Sequence, residues 1–246
     1  MNQSLTPRYS YSEMSLILSC ERRWSFYKTG IKGIIIPDDK SMIFGKSVHE
    51  AIQDYFMHIL RTKITKEIEI ETRARQSFYN NTELYKYYTD NRVVFERVVG
   101  NFIKFEKERF TKWKNFIPTF VEQRLEAGDL HGVIDVYFGE DRTLIDWKSY
   151  DATMISPSMT LQGAIYKVLL EENKFPVDKI LFVFLESGRV LQLPKTTKGF
   201  VLEQMHRVKT IADSGVYRPN FSFGCRACPF VLDCNFLNDK LWDEED

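Results

Sequence analysis

Two adjoining segments decide the fold of this chain: His131-Gly132-Val133-Ile134-Asp135-Val136-Tyr137-Phe138 and Leu144-Ile145-Asp146-Trp147-Lys148-Ser149. Both are rich in apolar, β-branched and aromatic residues, and the turn sequence Gly139-Glu140-Asp141-Arg142-Thr143 separates them, so together they predict a β-hairpin. Three charged residues, Asp135, Asp146 and Lys148, interrupt segments that otherwise suit a buried sheet. Burying a charge without a partner costs much free energy, so these three positions indicate a functional site.

The alternation of side chains along a strand places Asp146 and Lys148 on one face and Ile145 and Trp147 on the other. If the hairpin pairs in register around its turn, Asp135 lies on the neighbouring strand close to Asp146. Two carboxylates so close repel unless a cation lies between them, and oxygen ligands favour Mg²⁺ or Mn²⁺. The hairpin alone leaves a second interpretation open, in which Asp146 and Lys148 form a solvated pair at a sheet edge and Asp135 belongs to a capped turn.

Composition limits the classes of protein that the chain can be. Its 246 residues are 43% hydrophobic, enough for a sizeable core. The 34 basic and 34 acidic residues give a formal net charge of zero, so a nucleic-acid partner must be met by local patches. The first eight residues lack the apolar region of a signal peptide, and the longest apolar run, residues 180–185, is too short to span a bilayer. We therefore expect a cytoplasmic protein with no membrane partner, inside the host cell if the chain is viral.

The pattern of apolar residues predicts an α/β fold in one domain, with a mixed sheet flanked by helices. Helices are predicted over residues 11–28, 44–61, 159–171 and 198–213, and strands over 118–126, 179–186 and 190–193 in addition to the hairpin. Residues 62–117 are predicted to form a helical insertion whose charges are mostly solvated. The chain ends in an acidic tail, residues 243–246.

The four cysteines are unevenly placed. Cys20 stands alone near the start, whereas Cys225, Cys228 and Cys234 form a C-x₂-C-x₅-C cluster near the end. In a reducing compartment this pattern indicates a metal site rather than disulfides. Four thiolates can hold Zn²⁺ or an iron–sulfur cluster, and the remaining alternative is that they are small buried hydrophobic residues.

The order of several short motifs resembles the PD-(D/E)XK nuclease superfamily, and more closely its RecB-like branch. The matching motifs are Gly132-Val133-Ile134-Asp135, then Ile145-Asp146-Trp147-Lys148, then Gln162 and Tyr166 on the following helix. An upstream Gly45-x₃-His49 also matches, although a lone histidine in an amphipathic helix is by itself more often structural. The resemblance implies a restriction-endonuclease-like sheet core.

The resemblance also implies the roles of individual residues. His49, Asp135, Asp146 and the backbone carbonyl of Trp147 would bind Mg²⁺ or Mn²⁺. The implied catalytic set is Asp135, Asp146, Lys148, Gln162 and Tyr166. In this set Lys148 would orient a water or stabilise negative charge on the phosphate. Gln162 and Tyr166 would support Lys148 or hold the DNA strand.

Some members of the branch carry a [4Fe–4S] cluster on one N-terminal and three C-terminal cysteines, a pattern matched by Cys20, Cys225, Cys228 and Cys234. The chain thereby resembles CRISPR-associated RecB-like exonucleases and the AddB nuclease domain, and the cluster would join residue 20 to residues 225–234. The implied function is a metal-dependent exonuclease acting on single- or double-stranded DNA ends. The pathway would be DNA repair and recombination, CRISPR spacer acquisition or viral DNA processing, with the proteins of that pathway as partners. The alternative is a DNA-binding or structural subunit of a larger helicase–nuclease or integration complex, without activity of its own.

Overall fold

The computed structural model describes residues 9–34, 40–63, 66–221, 224–225 and 228–234. The N-terminal residues 1–8 and the acidic tail, both interpreted from sequence above, lie outside the described residues. Two compact units are formed, one by Met1–Pro37 with Thr197–Asp246 and the other by Asp38–Thr196. No helix in the described part of the chain has the length and apolar character needed to cross a membrane.

The elements follow the chain in the order predicted for an α/β fold. The helices are α1 (Tyr11–Ser19), α2 (Glu21–Lys28), α3 (Lys40–Thr62), α4 (Glu67–Asn80), α5 (Thr82–Asp90), α6 (Arg92–Lys112), α7 (Pro157–Glu172) and α8 (Lys198–Asp213). The strands are β1 (Phe120–Ala127), β2 (Leu130–Phe138), β3 (Thr143–Lys148), β4 (Lys179–Phe184) and β5 (Arg189–Gln192).

The larger unit is built on a five-stranded mixed sheet with the order β1-β2-β3-β4-β5. The predicted hairpin is confirmed as the antiparallel pair β2–β3, while β3 and β4 run parallel. A parallel pair needs a long crossover connection, and α7 provides it. This mixed sheet flanked by helices is consistent with a restriction-endonuclease-like fold.

The helices α3 to α6 bury one face of the sheet. Buried residues of α3, α4 and α6 form a single hydrophobic cluster with Val136, Ile145 and Trp147 of the sheet. Phe102 of α6 packs against the Trp147 ring at 5.0 Å between centroids. The segment 62–117, predicted as a helical insertion, therefore supplies part of the core that fixes β3 in place.

Two charges in this segment depart from the expectation of a solvated surface. Glu106 and Arg109 of α6 both have fully buried side chains, with Arg109 Nη2 2.7 Å from Glu106 Oε2. The Tyr55 hydroxyl donates a further hydrogen bond to Glu106 Oε2 at 3.1 Å. Burial is tolerated here because each charge meets its partner and further hydrogen bonds.

The smaller unit is formed by the two ends of the chain, and in it the prediction of one helix over residues 11–28 is wrong. The chain becomes extended at Cys20, with φ −160° and ψ 103°, so that α1 ends and α2 begins there. The physical reason is a cap: Cys20 Sγ accepts the Arg23 N–H at 3.4 Å, at the first turn of α2. The segments are joined by hydrogen bonds such as Arg22 Nε to the Tyr217 carbonyl, at 3.0 Å.

Candidate active site and cysteine site

The candidate active site lies where β2 and β3 stop pairing. Their ladder ends at Val136 opposite Ile145, so Asp135 and Asp146 occupy the next position on each strand, as the register around the turn predicted. Beyond this point the Trp147 N–H donates to Asp135 Oδ2 at 3.3 Å. A carboxylate thus binds a backbone donor beside the ladder, which holds Asp135 at the end of the paired region.

On its other side, β2 pairs with β1, and there Asp135 is opposite Glu122. The pairs Val121–Val136 and Gln123–Ile134 flank this position, while Glu122 itself has a φ of +48°. That left-handed conformation is uncommon for any residue with a side chain. Like charges directly opposite on two strands also destabilise a sheet.

Around this position β2 changes which of its side chains face α7 and which face the core cluster. Val136 packs in the core cluster with α3, whereas Gly132 faces α7, because a Cβ added at Gly132 would lie 2.9 Å from Leu169 Cδ1. Side chains four positions apart on a regular strand point to the same face of the sheet, so the regular alternation of β2 is interrupted between Gly132 and Val136. The unusual φ of Glu122 lies at this change of face.

His49 completes a group of three potential metal ligands. Its ring and the carboxylates of Glu122 and Asp135 each offer one atom, and these atoms all lie within 4.8 Å of one another. Nδ1 of His49 lies 3.4 Å from Asp135 Oδ2, and the ring also forms a hydrogen bond with the Trp147 backbone. The helix α3 can approach closely because Gly45 has no side chain: a Cβ there would lie 3.1 Å from Ser149 Oγ.

The electrostatics of this group favour a bound cation. Burial raises the pKa of Asp135 well above its usual value, and the charges of Asp146 and Glu122 raise it further. The pKa of Glu122 is raised by burial and by Asp146. Burial lowers the pKa of His49, which favours the neutral imidazole that binds metals. The strained, mutually repelling carboxylates and the neutral ring therefore fit a divalent metal ion.

A second group of side chains adjoins the first. Lys148 Nζ lies 2.7 Å from Asp146 Oδ2 and donates to Gln162 Oε1 at 3.0 Å. The Gln162 amide in turn donates to Asp146 Oδ1 at 2.9 Å and to the Tyr166 hydroxyl at 3.2 Å. Burial acts to lower the pKa of Lys148, but the Asp146 carboxylate reverses this effect and the pKa is raised overall. Gln162 therefore forms hydrogen bonds with Asp146, Lys148 and Tyr166 at once.

The structure brings the predicted site residues into two adjoining groups and adds one residue that sequence reasoning missed. His49, Asp135 and Trp147 lie in the first group, and Asp146, Lys148, Gln162 and Tyr166 in the second. The added residue is Glu122. A signal for it was present, because the Gly128-Asp129 turn sets the register that places Glu122 opposite Asp135.

The cysteines meet in the smaller unit. Cys20, Cys225, Cys228 and Cys234 are free thiols that line one small cavity of about 30 Å³. Burial raises the pKa of the Cys228 thiol, the adjacent Cys20 and Cys225 add to this effect, and Arg23 opposes it. Four convergent thiols with a cation beside them fit a soft, thiolate-held metal centre.

Comparison with known protein families matches residues 8–235 to the PD-(D/E)XK nuclease superfamily. Because the match covers nearly the whole chain, the protein belongs to this superfamily, which confirms the prediction at that level. Membership implies a phosphodiester hydrolase that uses divalent metal ions and acts on DNA. A search of curated proteins found no match.

Proposed function

We propose that this protein is a metal-dependent deoxyribonuclease of the RecB-like branch, acting as an exonuclease at DNA ends. One observation carries the proposal: three potential ligands, His49, Glu122 and Asp135, converge within 4.8 Å beside the Asp146–Lys148 ion pair. In metal-dependent hydrolysis of a phosphodiester, a bound divalent cation and a positively charged side chain near the phosphate assist the reaction. This arrangement offers ligands for the first and Lys148 as the second.

We assign the metal to His49, Asp135, Asp146 and the Trp147 carbonyl, with Glu122 as a further ligand. Hard oxygen donors with one imidazole suit Mg²⁺ or Mn²⁺, and the nitrogen somewhat favours Mn²⁺. When bound, such an ion polarises the scissile phosphate and lowers the pKa of a bound water. The fold holds these ligand atoms close together although the carboxylates among them repel one another.

Lys148 is the candidate catalytic cation. Its position beside Asp146 lets the ammonium orient a water or stabilise negative charge on the phosphoryl oxygens. Gln162 accepts from Lys148 and donates to Asp146, which fixes both side chains. Tyr166 supports Gln162 through the hydrogen bond between the hydroxyl and the amide.

We further propose that Cys20, Cys225, Cys228 and Cys234 hold a structural [4Fe–4S] cluster. Such a centre would connect chain ends more than 200 residues apart and so close a very long loop. The hydrogen bonds between the N- and C-terminal segments support this role. The choice of iron–sulfur over zinc rests on the resemblance to CRISPR-associated RecB-like exonucleases and the AddB nuclease domain, as do the exonuclease activity and the recombination, CRISPR or viral pathway.

The nuclease proposal is tested by cleavage of end-labelled single- and double-stranded DNA with Mn²⁺ or Mg²⁺. We expect Asp146→Asn and Lys148→Met to abolish cleavage, while Glu203→Gln and Lys179→Met, which change exposed residues, leave it unchanged. If Asp146→Asn or Lys148→Met cuts DNA as well as wild type, the assignment is wrong. Degradation of circular DNA would indicate an endonuclease, and DNA binding without cleavage by the wild-type protein would favour the non-catalytic subunit.

The cluster proposal has its own test, which does not depend on cleavage. Protein purified anaerobically should contain iron and acid-labile sulfide and absorb near ~400 nm, as thiolate–iron centres do. A colourless protein with stoichiometric zinc would contradict the cluster and leave the nuclease proposal standing.

A further inference from the structure

Arg23 occupies an unusual position in the wall of the cysteine cavity. The cavity is lined by the four cysteines together with Arg22, Arg23 and three other residues. Because Cys20 caps α2, Arg23 is the third residue of that helix, and its backbone N–H already donates to Cys20 Sγ. The capping geometry therefore fixes the base of the Arg23 side chain beside the first cysteine.

The Arg23 guanidinium carries a buried donor without a partner. Its Nε is inaccessible to solvent and has no hydrogen-bond partner among the residues that the structure describes. Arginine stays charged in proteins, and a buried donor left unpaired costs free energy, so such a group usually marks a missing acceptor. The adjacent Arg22 gives the contrast, because its Nε donates to the Tyr217 carbonyl at 3.0 Å.

We propose that Arg23 donates a hydrogen bond from Nε to a sulfur of the centre held by the four cysteines, and that it is a positioning residue for this centre. The inference rests on the proposed cluster. Four thiolates give an iron–sulfur cluster a net negative charge, and its thiolate and sulfide sulfurs accept hydrogen bonds. Hydrogen bonds to the sulfurs and nearby charge are among the factors that set a cluster's reduction potential.

The direction of the effect follows from charge. Reduction adds one electron to an already anionic centre, so a donated hydrogen bond and a nearby cation stabilise the reduced form more than the oxidised form. Arg23 therefore raises the reduction potential. We expect Arg23→Met to shift the reduction equilibrium at least tenfold toward the oxidised form, which is about 59 mV for a one-electron couple.

The test uses the full-length protein purified anaerobically with its metal centre in place. Redox titration followed by electron paramagnetic resonance gives the potential of wild type, Arg23→Met, Arg23→Lys and Arg22→Met. Arg22→Met is the matched control, because it removes one positive charge from the same cavity wall but no unpaired donor. We expect the two Arg23 variants to have lowered potentials, with the larger shift in Arg23→Met. Arg22→Met, which removes a charge but no unpaired donor, should shift the potential less than Arg23→Met.

A second measurement keeps the inference testable if Arg23→Met fails to fold. Resonance Raman bands of the iron–thiolate stretches should shift in D₂O for wild type and Arg22→Met, and this isotope shift should shrink in Arg23→Lys. If the Arg23 variants contain iron and sulfide but have the same potentials and isotope shifts as wild type, the inference about Arg23 is overturned and the proposed cluster stands. Zinc without iron in wild type would overturn the cluster, and the inference with it.

Discussion

Glu122 and Asp135 lie opposite each other on β1 and β2, and Glu122 holds its position in a left-handed backbone conformation with φ +48°. Both carboxylates have raised pKa values because burial and neighbouring acidic charge disfavour their ionised forms. Strain and repulsion thus accumulate at one position of the sheet, and backbone strain of this kind clusters at functional sites. A divalent cation between the two carboxylates would offset the repulsion.

The first prediction separates metal binding from folding. Glu122→Gln should raise the stability of the metal-free protein by about 0.2–1 kcal/mol, because it removes a like-charge pair opposite Asp135. It should also reduce the rise in melting temperature that Mn²⁺ gives the wild-type protein, because ligand stabilisation follows affinity. Thermal melts with and without Mn²⁺ measure both effects. Glu126→Gln, an exposed change on the same strand, serves as the control, and an undiminished Mn²⁺ effect in Glu122→Gln would show that Glu122 is not a ligand.

The second prediction concerns the backbone strain. Glycine normally weakens a strand relative to alanine, by roughly 0.5–1 kcal/mol. At φ +48° this order should reverse, because a Cβ in the left-handed region costs about 1–2 kcal/mol and glycine has none. We expect Glu122→Gly to be more stable than Glu122→Ala in urea denaturation of the metal-free protein. At Arg124, an exposed residue of β1, the alanine variant should be more stable than the glycine variant. If the alanine variant is the more stable one at Glu122 as well, the backbone there is not strained.

The third prediction tests Gln162 as a residue that acts through Asp146 and Lys148. Gln162→Met keeps the length of the side chain but removes its hydrogen bonds to both residues. We expect the cleavage rate to fall by about 10- to 100-fold, the range seen when groups that support metal ligands are removed. Gln192→Met, at an exposed position of β5, should leave the rate unchanged. A fully active Gln162→Met would mean that Asp146 and Lys148 keep their positions without the amide.

The sequence was sufficient to predict the hairpin, the other strand segments and the helix that follows β3, because these depend on alternation and turn residues close together in the chain. It was also sufficient to place Asp135 beside Asp146, since a register follows from its turn. Glu122 was not predicted as a site residue, although its position opposite Asp135 also follows from a turn. The Gly128-Asp129 turn gave its register, but an acidic residue within a strand carries no local sign of a strained backbone.

Two other features depend on contacts that periodicity does not report. The helical pattern continues through Cys20, and the break there arises from a cap by the cysteine's own sulfur. Glu106 and Arg109 are three residues apart, which on a helix is also the spacing of a solvated surface pair. Their burial follows from the packing of α6 against residues distant in sequence. Patterns of charge therefore predicted that Asp135, Asp146 and Lys148 lie together, but they did not predict that the Glu106–Arg109 pair is buried.

The buried pair gives the last prediction, which concerns the segment that supports the site. Glu106→Gln should destabilise the protein by about 3–5 kcal/mol, because it leaves the Arg109 guanidinium buried without a counter-charge. On the same helix, Glu108 pairs with Lys112 at 3.2 Å, but both side chains are at least half exposed. Exposed pairs of this kind contribute little, so Glu108→Gln should cost at most about 0.5 kcal/mol.

Urea denaturation of the two variants measures this difference directly. A third variant, Glu106→Met with Arg109→Met, removes both charges and should recover part of the loss, because no unpaired charge then remains in the core. If Glu106→Gln and Glu108→Gln lower the free energy of unfolding equally, water reaches the Glu106–Arg109 pair. The large cost expected for Glu106→Gln alone would establish that α6 belongs to the core on which Trp147, and with it the end of β3, is packed.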